Sequence, residues 1–442
     1  MLVSCLPRGS FSPSFIMTAG ELLKRLRASV QRRKSKRVET QAGSEVTDPL
    51  QLLITIAERF PRQYDQNHKK LLQQLREYQS NRDVRADEFS RIWSELSLNV
   101  ISTPQWLGLL LPEQCSRAPQ MVDAARKAGS QKYLPDERRS ESEKKTDRSR
   151  NQDGFTGTSD LMLQLLHDLA TGDPLRPPPF LFLSKFYFFR DLCYGYFVDP
   201  RIREVQQALF AQCYLQRLNW KASYAADYPY QGMAGLGICG VKPTEERLSR
   251  YDIGDWLRPT DQVLDIGANN GFLALAVARL VAHVDAIEYN PYLVAMANIA
   301  ADFLQAKNTS FLVGDFVEFK ETKHYDAVFS LANHCTIDGN LSMDFEEYVA
   351  KCFSLLKPGG YLFFESHNVF GPGKGGPGDD GDLDAKFDIV ERYFQVVRTR
   401  MTRAYVPAYD IDKLFVVLRR RETYQGNALR SFKLANAKLR YD

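Results

Sequence analysis

Residues 262–271 read QVLDIGANNG, and residues 272–281 continue as FLALAVARLV. Gln262–Ile266 is a short apolar run of the length that makes a buried strand. Gly267 and Gly271 then punctuate a turn, and the following run carries helix-forming residues. The pattern is strand, turn, helix. Glycine is required where the backbone takes unusual angles or approaches a ligand closely. The helix that follows presents outward-pointing amides at its N-terminus. The spacing is Asp265-x-Gly267-x-x-x-Gly271, which differs from the Gly-x-Gly-x-x-Gly turn of a dinucleotide site.

Strand-like and helix-like segments keep alternating downstream, and this order implies an α/β domain with a parallel sheet. His283–Ile287 is the next strand, with Glu288 at its end. An acid about 20 positions after such a turn suits a ribose diol, because its two oxygens accept two hydroxyl protons. Ser310–Val313 leads into Gly314-Asp315-Phe316, where an acid can accept an exocyclic amine and an aromatic ring can lie beside a base. Asp326–Leu331 leads into Ala332-Asn333-His334. A helix at about Phe345–Leu355 precedes Lys357-Pro358-Gly359-Gly360 and a fifth strand, YLFFES.

The ordered series VLDIGANNG, IEYNP, VGDF, FSLANH and LLKPGGYLFFE resembles the class I S-adenosylmethionine-dependent methyltransferases over residues 241–421. The resemblance implies a seven-stranded, mostly parallel, doubly wound sheet with an antiparallel last strand. Phe394–Met401 and Leu414–Leu418, joined by a turn containing Pro407, suit its end. It implies an enzyme whose cofactor is S-adenosyl-L-methionine. Asp265, Gly267 and Gly271 would shape the methionine side of the pocket, Glu288 would hold the ribose, and Tyr289 and Asn290 would border the adenine. Asp315 and Phe316 would complete the adenine site. Asn269 departs from the glycine common at the middle of the turn, but Asn tolerates left-handed geometry better than most residues.

An oxygen acceptor must lose a proton, and a positioned His contributes about 10²–10⁴-fold to such a step. His334 stands just after the fourth strand, at the carboxyl edge where ligands bind in these sheets. It is the candidate base, with Asp338 as a candidate orienting acid and His367 as a second candidate base. The fourth strand lacks the Asn/Asp-Pro-Pro-aromatic signature of amine methylation. No Pro-Cys pair supports a nucleophilic thiol, so Cys335 reads as a buried residue. Upstream, Pro243 and Thr244 open a helix with Glu245 and Glu246 in its first turn. Arg247 on that helix is either a partner for the cofactor carboxylate or an ordinary surface residue. Phe370–Asp384 is glycine- and proline-rich and reads as a mobile loop, either plain or a substrate lid. Asp380, Asp382, Asp384 and Glu391 match four positions of a calcium loop, but Ala385 occupies its required glycine position. No metal is expected.

The whole chain of 442 residues carries a net charge of only +4, so wholesale nucleic-acid coating is not the default reading. Residues 241–421 hold 20 Lys and Arg against 26 Asp and Glu, so the basic character lies elsewhere. Seven scattered cysteines without a CxxC fit a reducing, cytoplasmic compartment. No stretch reads as a membrane span, and Phe180–Val198 reads as a buried helix because Lys185, Arg190 and Asp191 interrupt it. Residues 1–47 form a basic tail in which Met17 is an alternative start. Residues 48–113 read as a helical region and 114–160 as a charged, disordered linker. Residues 161–240 read as a helical extension packing on the domain at 241–421, and 422–442 as a basic tail. The leading expectation is methyl transfer to an oxygen of a small-molecule or glycan-type acceptor. The alternatives are an RNA methyltransferase using the basic N-terminal arm and a cofactor-binding pseudo-enzyme that serves as an interaction module.

Overall fold

The computed structural model describes residues 48–59, 66–102, 162–163, 166–167, 170, 180–220, 228–320, 322–334, 343–367, 369, 380, 382–403, 412–427 and 430–437. The basic arm, the charged linker, Asp338, Cys335, the loop at 370–379 and the Pro407 turn lie outside the described residues. Residues 48–442 belong to one compact unit.

Three helices come first: α1 (Pro49–Arg59), α2 (Gln66–Ser80) and α3 (Arg82–Ser102). Asp48 Oδ1 accepts the Leu50 N–H at 3.2 Å, and Pro49 sits where no intrahelical donor is needed. Helix α4 (Phe180–Phe197) is the aromatic run, and α5 (Arg203–Asn219) follows it. Phe188, Phe189, Leu192 and Phe197 of α4 are buried. No helix among the described residues is long and apolar enough to cross a membrane. Two very short strands, β1 (Gln231–Gly232) and β2 (Lys242–Pro243), pair in parallel. Helix α6 (Thr244–Tyr251) then opens directly behind Pro243.

The α/β region follows as β3 (Gln262–Ile266), α7 (Phe272–Val277), β4 (His283–Glu288), α8 (Pro291–Leu304), β5 (Thr309–Val313) and β6 (Tyr325–Leu331). It continues with α9 (Phe345–Leu355), β7 (Leu356–Glu365), α10 (Leu383–Tyr393), β8 (Phe394–Arg403) and β9 (Asp412–Arg420). The seven strands lie in the order β5-β4-β3-β6-β7-β9-β8. Every pairing is parallel except those of β9 with β7 and β8. The chain winds outward from β3 to β5, then returns to place β6 on the other side of β3. The carboxyl ends of β3 and β6 therefore form the switch point at which open α/β sheets bind ligands. This is the doubly wound class I methyltransferase topology.

Packing is continuous across residue 240. One apolar cluster runs from Leu50 and Leu53 through Phe188 and Leu209 to Leu293 and Met296 of α8. A second joins β6, β7 and β9 to α9, α10 and the C-terminal segment. Part of that segment, expected as a tail, is docked. Phe432 stacks on Phe387 with centroids 3.9 Å apart, and Leu434 and Ala437 of a last short helix, α11 (Leu434–Ala437), are buried. The acids of the calcium-loop pattern are occupied separately. Asp382 caps α10, Asp384 accepts the Leu434 N–H, and Glu391 accepts the Ser431 and Phe432 N–H groups.

Candidate active site

Three residues of the turn after β3 have positive φ: Gly267 at 63°, Asn269 at 55° and Gly271 at 73°. A Cβ on Gly271 would fall 2.5 Å from the Ala297 Cβ and 2.7 Å from Phe311, and one on Gly267 would fall 2.9 Å from the Asn333 Cβ. Both glycines are thus demanded by conformation and by space. Asn269 manages without glycine because its own Oδ1 accepts the Asn270 N–H at 2.9 Å, a local bond of the kind that eases Asn into the left-handed region.

Glu288 fastens this turn to the next strand. Its Oε2 accepts the Asn269 N–H at 2.9 Å and its Oε1 accepts the Asn290 N–H at 3.0 Å. A carboxylate oxygen can accept more than one hydrogen bond, which is the chemistry a diol needs. Asp265, at the carboxyl end of the central strand, is only 4 % exposed, and its Oδ2 makes no hydrogen bond. Burial pushes its carboxyl up to about 7, with the Glu288 charge adding to the rise and the Arg247 charge opposing it. A buried polar atom without a partner calls for an explanation. A cationic or hydroxylic ligand group at the turn supplies one.

On the far side of the turn, Tyr289 is 43 % exposed and meets the edge of Trp220 at 5.5 Å between centroids. The Oδ1 of Asp315 accepts the Val317 N–H at 2.8 Å, which fixes its carboxylate in the turn after β5. Phe316 does not stand open beside this edge. Its ring is buried against Tyr348, with the Lys351 ammonium 4.7 Å from its centroid.

At the end of β6, Ala332 takes a positive φ of 59° and redirects the chain. Asn333 turns back to donate to the Ile266 carbonyl, while its Oδ1 accepts from the Ser330 hydroxyl at 2.9 Å. His334 is buried among Phe345, Phe364 and His367. Its Nε2 bonds Asp380 Oδ1 at 2.6 Å, and neither side chain is exposed. The other carboxylate oxygen of Asp380 accepts the His367 N–H at 2.6 Å. Burial alone would raise the Asp380 carboxyl, but the His334 hydrogen bond and the positive charge of Lys386 help hold it at about 2. The His367 imidazole is driven down to about 3, first by burial and then by the Lys413 charge.

Next to these groups, Glu365 ends β7 fully buried. It takes Lys242 Nζ at 2.5 Å, Arg247 Nη2 at 2.7 Å, the Tyr251 hydroxyl at 2.8 Å and Lys413 Nζ at 3.2 Å. Burial opposes its ionisation, but the three cations outweigh that and hold the carboxyl well below its ordinary range. Arg247 is therefore not an ordinary surface residue. It belongs to this buried cluster.

A methyltransferase-domain family model matches residues 257–400. Residues 257–400 are a class I methyltransferase domain. Among relatives, the "Probable ribosomal RNA small subunit methyltransferase A" of Methanothermobacter thermautotrophicus is 45% identical over 67 residues. That match covers 15% of this chain and 23% of the relative, so the chain spans under a quarter of the relative's length. The N-methyltransferase NodS of Bradyrhizobium japonicum WM9, solved with S-adenosyl-L-homocysteine, is 16% identical. It aligns with 49% of this chain and 100% of its own, at a TM-score of 0.34. The YcgJ protein of Bacillus subtilis is 15% identical over 41% of this chain and 98% of its own, at 0.32.

The residues at the turn fit S-adenosylmethionine, the cofactor that the sequence resemblance implies. The unpartnered Asp265 oxygen can accept from an ammonium, Glu288 can accept from a diol, and the glycines leave room for backbone approach. Three contributors escaped the sequence reading. Asp380 meets His334 from 46 residues away. Asn333 braces the turn from β6. Gln231, far upstream, holds the turn from its other side. The methyltransferase domain also draws Lys242 and Arg247 from segments ahead of residue 257.

Proposed function

We propose that the protein transfers the methyl group of S-adenosylmethionine to an oxygen of a small-molecule or glycan-type acceptor in the cytoplasm, with His334 as general base. The observation that carries this reading is the buried His334–Asp380 pair at the carboxyl edge of β6. Asp380 is ionised at any physiological pH, so it accepts the proton on Nε2 and leaves the lone pair of His334 on Nδ1. That nitrogen takes the acceptor's hydroxyl proton as the oxygen attacks. The cofactor supplies the methyl carbon as an electrophile on a sulfonium leaving group. Asp265, Glu288 and the turn would hold the donor, Tyr289 would border its adenine, and Asp315 would complete the adenine side, with the Phe316 ring packed behind it against Tyr348. His367 serves poorly as a base, because a group driven down to about 3 is a weak proton acceptor near neutrality. The acidic balance of residues 241–421 also disfavours a polyanionic acceptor, and four buried free thiols suit a reducing compartment.

RNA as acceptor is a second reading, favoured by the 67-residue similarity to a ribosomal RNA methyltransferase and by the basic stretch Lys24–Arg37. Transfer from tritiated S-adenosylmethionine into a cell extract separates the two. RNase-resistant label in the small-molecule or glycan fraction supports the oxygen reading. RNase-sensitive label, with activity falling steeply as salt rises, overturns it in favour of RNA. Cofactor binding with no transfer to any fraction overturns both and leaves a pseudo-enzyme.

A further inference from the structure

Gln231 braces the glycine turn from outside the large sheet. Gln231 of β1 donates from Nε2 to the Ala268 carbonyl at 3.1 Å and accepts the Leu273 N–H on Oε1 at 2.9 Å. Its backbone carbonyl accepts from Asn270 Nδ2 at 3.1 Å. Gln231 and Asn270 are both buried. These bonds reach a carbonyl inside the turn, the Asn270 side chain and one of the N-terminal donors that α7 cannot satisfy internally.

Gln231 is itself held rigidly. Asp191, fully buried on α4, accepts the Cys239 N–H at 3.0 Å and the Tyr228 hydroxyl proton. The Tyr228 oxygen accepts the Gly240 N–H at 2.9 Å. The backbones of Gly232 and Gly240 are in such close contact that a Cβ on Gly232 would lie 1.9 Å from the Cys239 carbonyl oxygen. The helical extension thus fixes β1, and β1 delivers the Gln231 amide to the turn.

We propose that Gln231 is a positioning residue of the cofactor site, which makes residues ahead of the methyltransferase domain a working part of donor binding. The inference rests on the donor site described above. Three positive-φ residues within five are costly to order. A turn already ordered spares the ligand that cost, which is how pre-organisation raises affinity. Gln231 is therefore expected to act on donor affinity and not on the transfer step.

The test uses the full chain and S-adenosyl-L-homocysteine as the calorimetric probe. Gln231→Met keeps the length and removes both side-chain hydrogen bonds. It is expected to weaken binding about 10- to 100-fold, from ordinary net hydrogen-bond strengths, while kcat at saturating donor stays within about threefold of wild type. Gln231→Glu keeps the acceptor for Leu273 and loses the donor to Ala268, so it is expected to fall between. Asn67→Ala is the control. Asn67 donates to the Ala234 carbonyl at 2.9 Å, which holds the same segment without touching the turn. Wild-type affinity in folded Gln231→Met overturns the proposal, as does an equal loss in Asn67→Ala at matched melting temperature. If Gln231→Met does not fold, Gln231→Glu decides by the same criteria. Failure of the wild type to bind the probe would instead overturn the donor-site reading beneath it.

Discussion

Asp380 and Asp265 are both buried at the carboxyl edge of the sheet, and their partners drive them in opposite directions. Asp380 meets an imidazole and is held at about 2, whereas Asp265 has no hydrogen-bond partner on Oδ2 and rises to about 7. For Asp380 and His334 the consequence is kinetic. His334→Ala is expected to lower kcat by about 10²–10⁴ and leave S-adenosyl-L-homocysteine affinity unchanged. Steady-state rates paired with calorimetry check this, and wild-type turnover would remove His334 from the mechanism. For Asp265 the consequence is thermodynamic. Its folded pKa lies above its unfolded value of 3.8, so between the two the native state holds the extra proton. Stability then falls as pH rises through that window, by about 1.4 kcal/mol per unit. Above about pH 7 the penalty is complete. Asp265→Asn carries no such penalty, so its stability relative to wild type should improve between pH 5 and pH 8 by about 2–3 kcal/mol. Ligand-free denaturant melts at both pH values measure the difference, and a gap independent of pH would contradict the assignment.

Whole elements were readable where the signal is local. The β3 strand lies at Gln262–Ile266, as its apolar run implies, and α9 covers Phe345–Leu355 as expected. Both are set by apolar spacing and by turn residues within a few positions. The place of Glu288 beside the turn was legible for the same reason, since its distance from the turn is fixed by one helix and one strand. The pairings that complete the site were not legible. Asp380 sits at the end of a glycine- and proline-rich stretch with no periodicity, and Gln231 lies some forty residues before the groups it braces. Only the folded topology brings them together. The burial of Arg247 was not legible because a charged residue on a short helix reads as exposed unless the buried acid it meets is known. The turn element offers its own test. Gly271→Ala places a Cβ 2.5 Å from a packed methyl at φ 73°, whereas Gly267→Ala meets the Asn333 side chain at 2.9 Å. Strain plus overpacking should cost Gly271→Ala about 2–4 kcal/mol, with Gly267→Ala costing less. Denaturant unfolding ranks them, and the reverse order would show that the turn relaxes more easily than its packing implies.

Across the whole molecule, two features tie the helical part to the sheet. The first is the buried charge cluster, in which Lys242 of β2, Arg247 of α6 and Lys413 of β9 converge on Glu365 of β7. Breaking a buried ionic group by removing one partner typically costs about 3–5 kcal/mol, because the remaining charges stay desolvated. Glu365→Gln should lose that much at pH 7. The Glu365 carboxyl is depressed in the folded state, so its contribution is present above the unfolded value of 4.5 and fades as pH falls below it. The gap between wild type and variant should narrow in acid, and a constant gap would mean that packing, not charge, carries the loss. The second feature is apolar. Leu293, Met296 and Ala300 of α8 share one cluster with Leu209 and Cys213 of α5 and with α1–α4 beyond them. A fragment of residues 241–442 keeps every strand of the large sheet and the whole family-model match. It strips the cover from α8 and removes Gln231 from the turn. Exposing several large side chains, at about 1.5–3 kcal/mol each, is comparable to the entire stability of a typical domain. The fragment is expected to lack a cooperative melt and to bind no S-adenosyl-L-homocysteine, although it contains Asp265, Glu288 and His334. A fragment that melts cooperatively and binds the probe with full-length affinity would show the helical part to be an accessory instead of a component of the donor site.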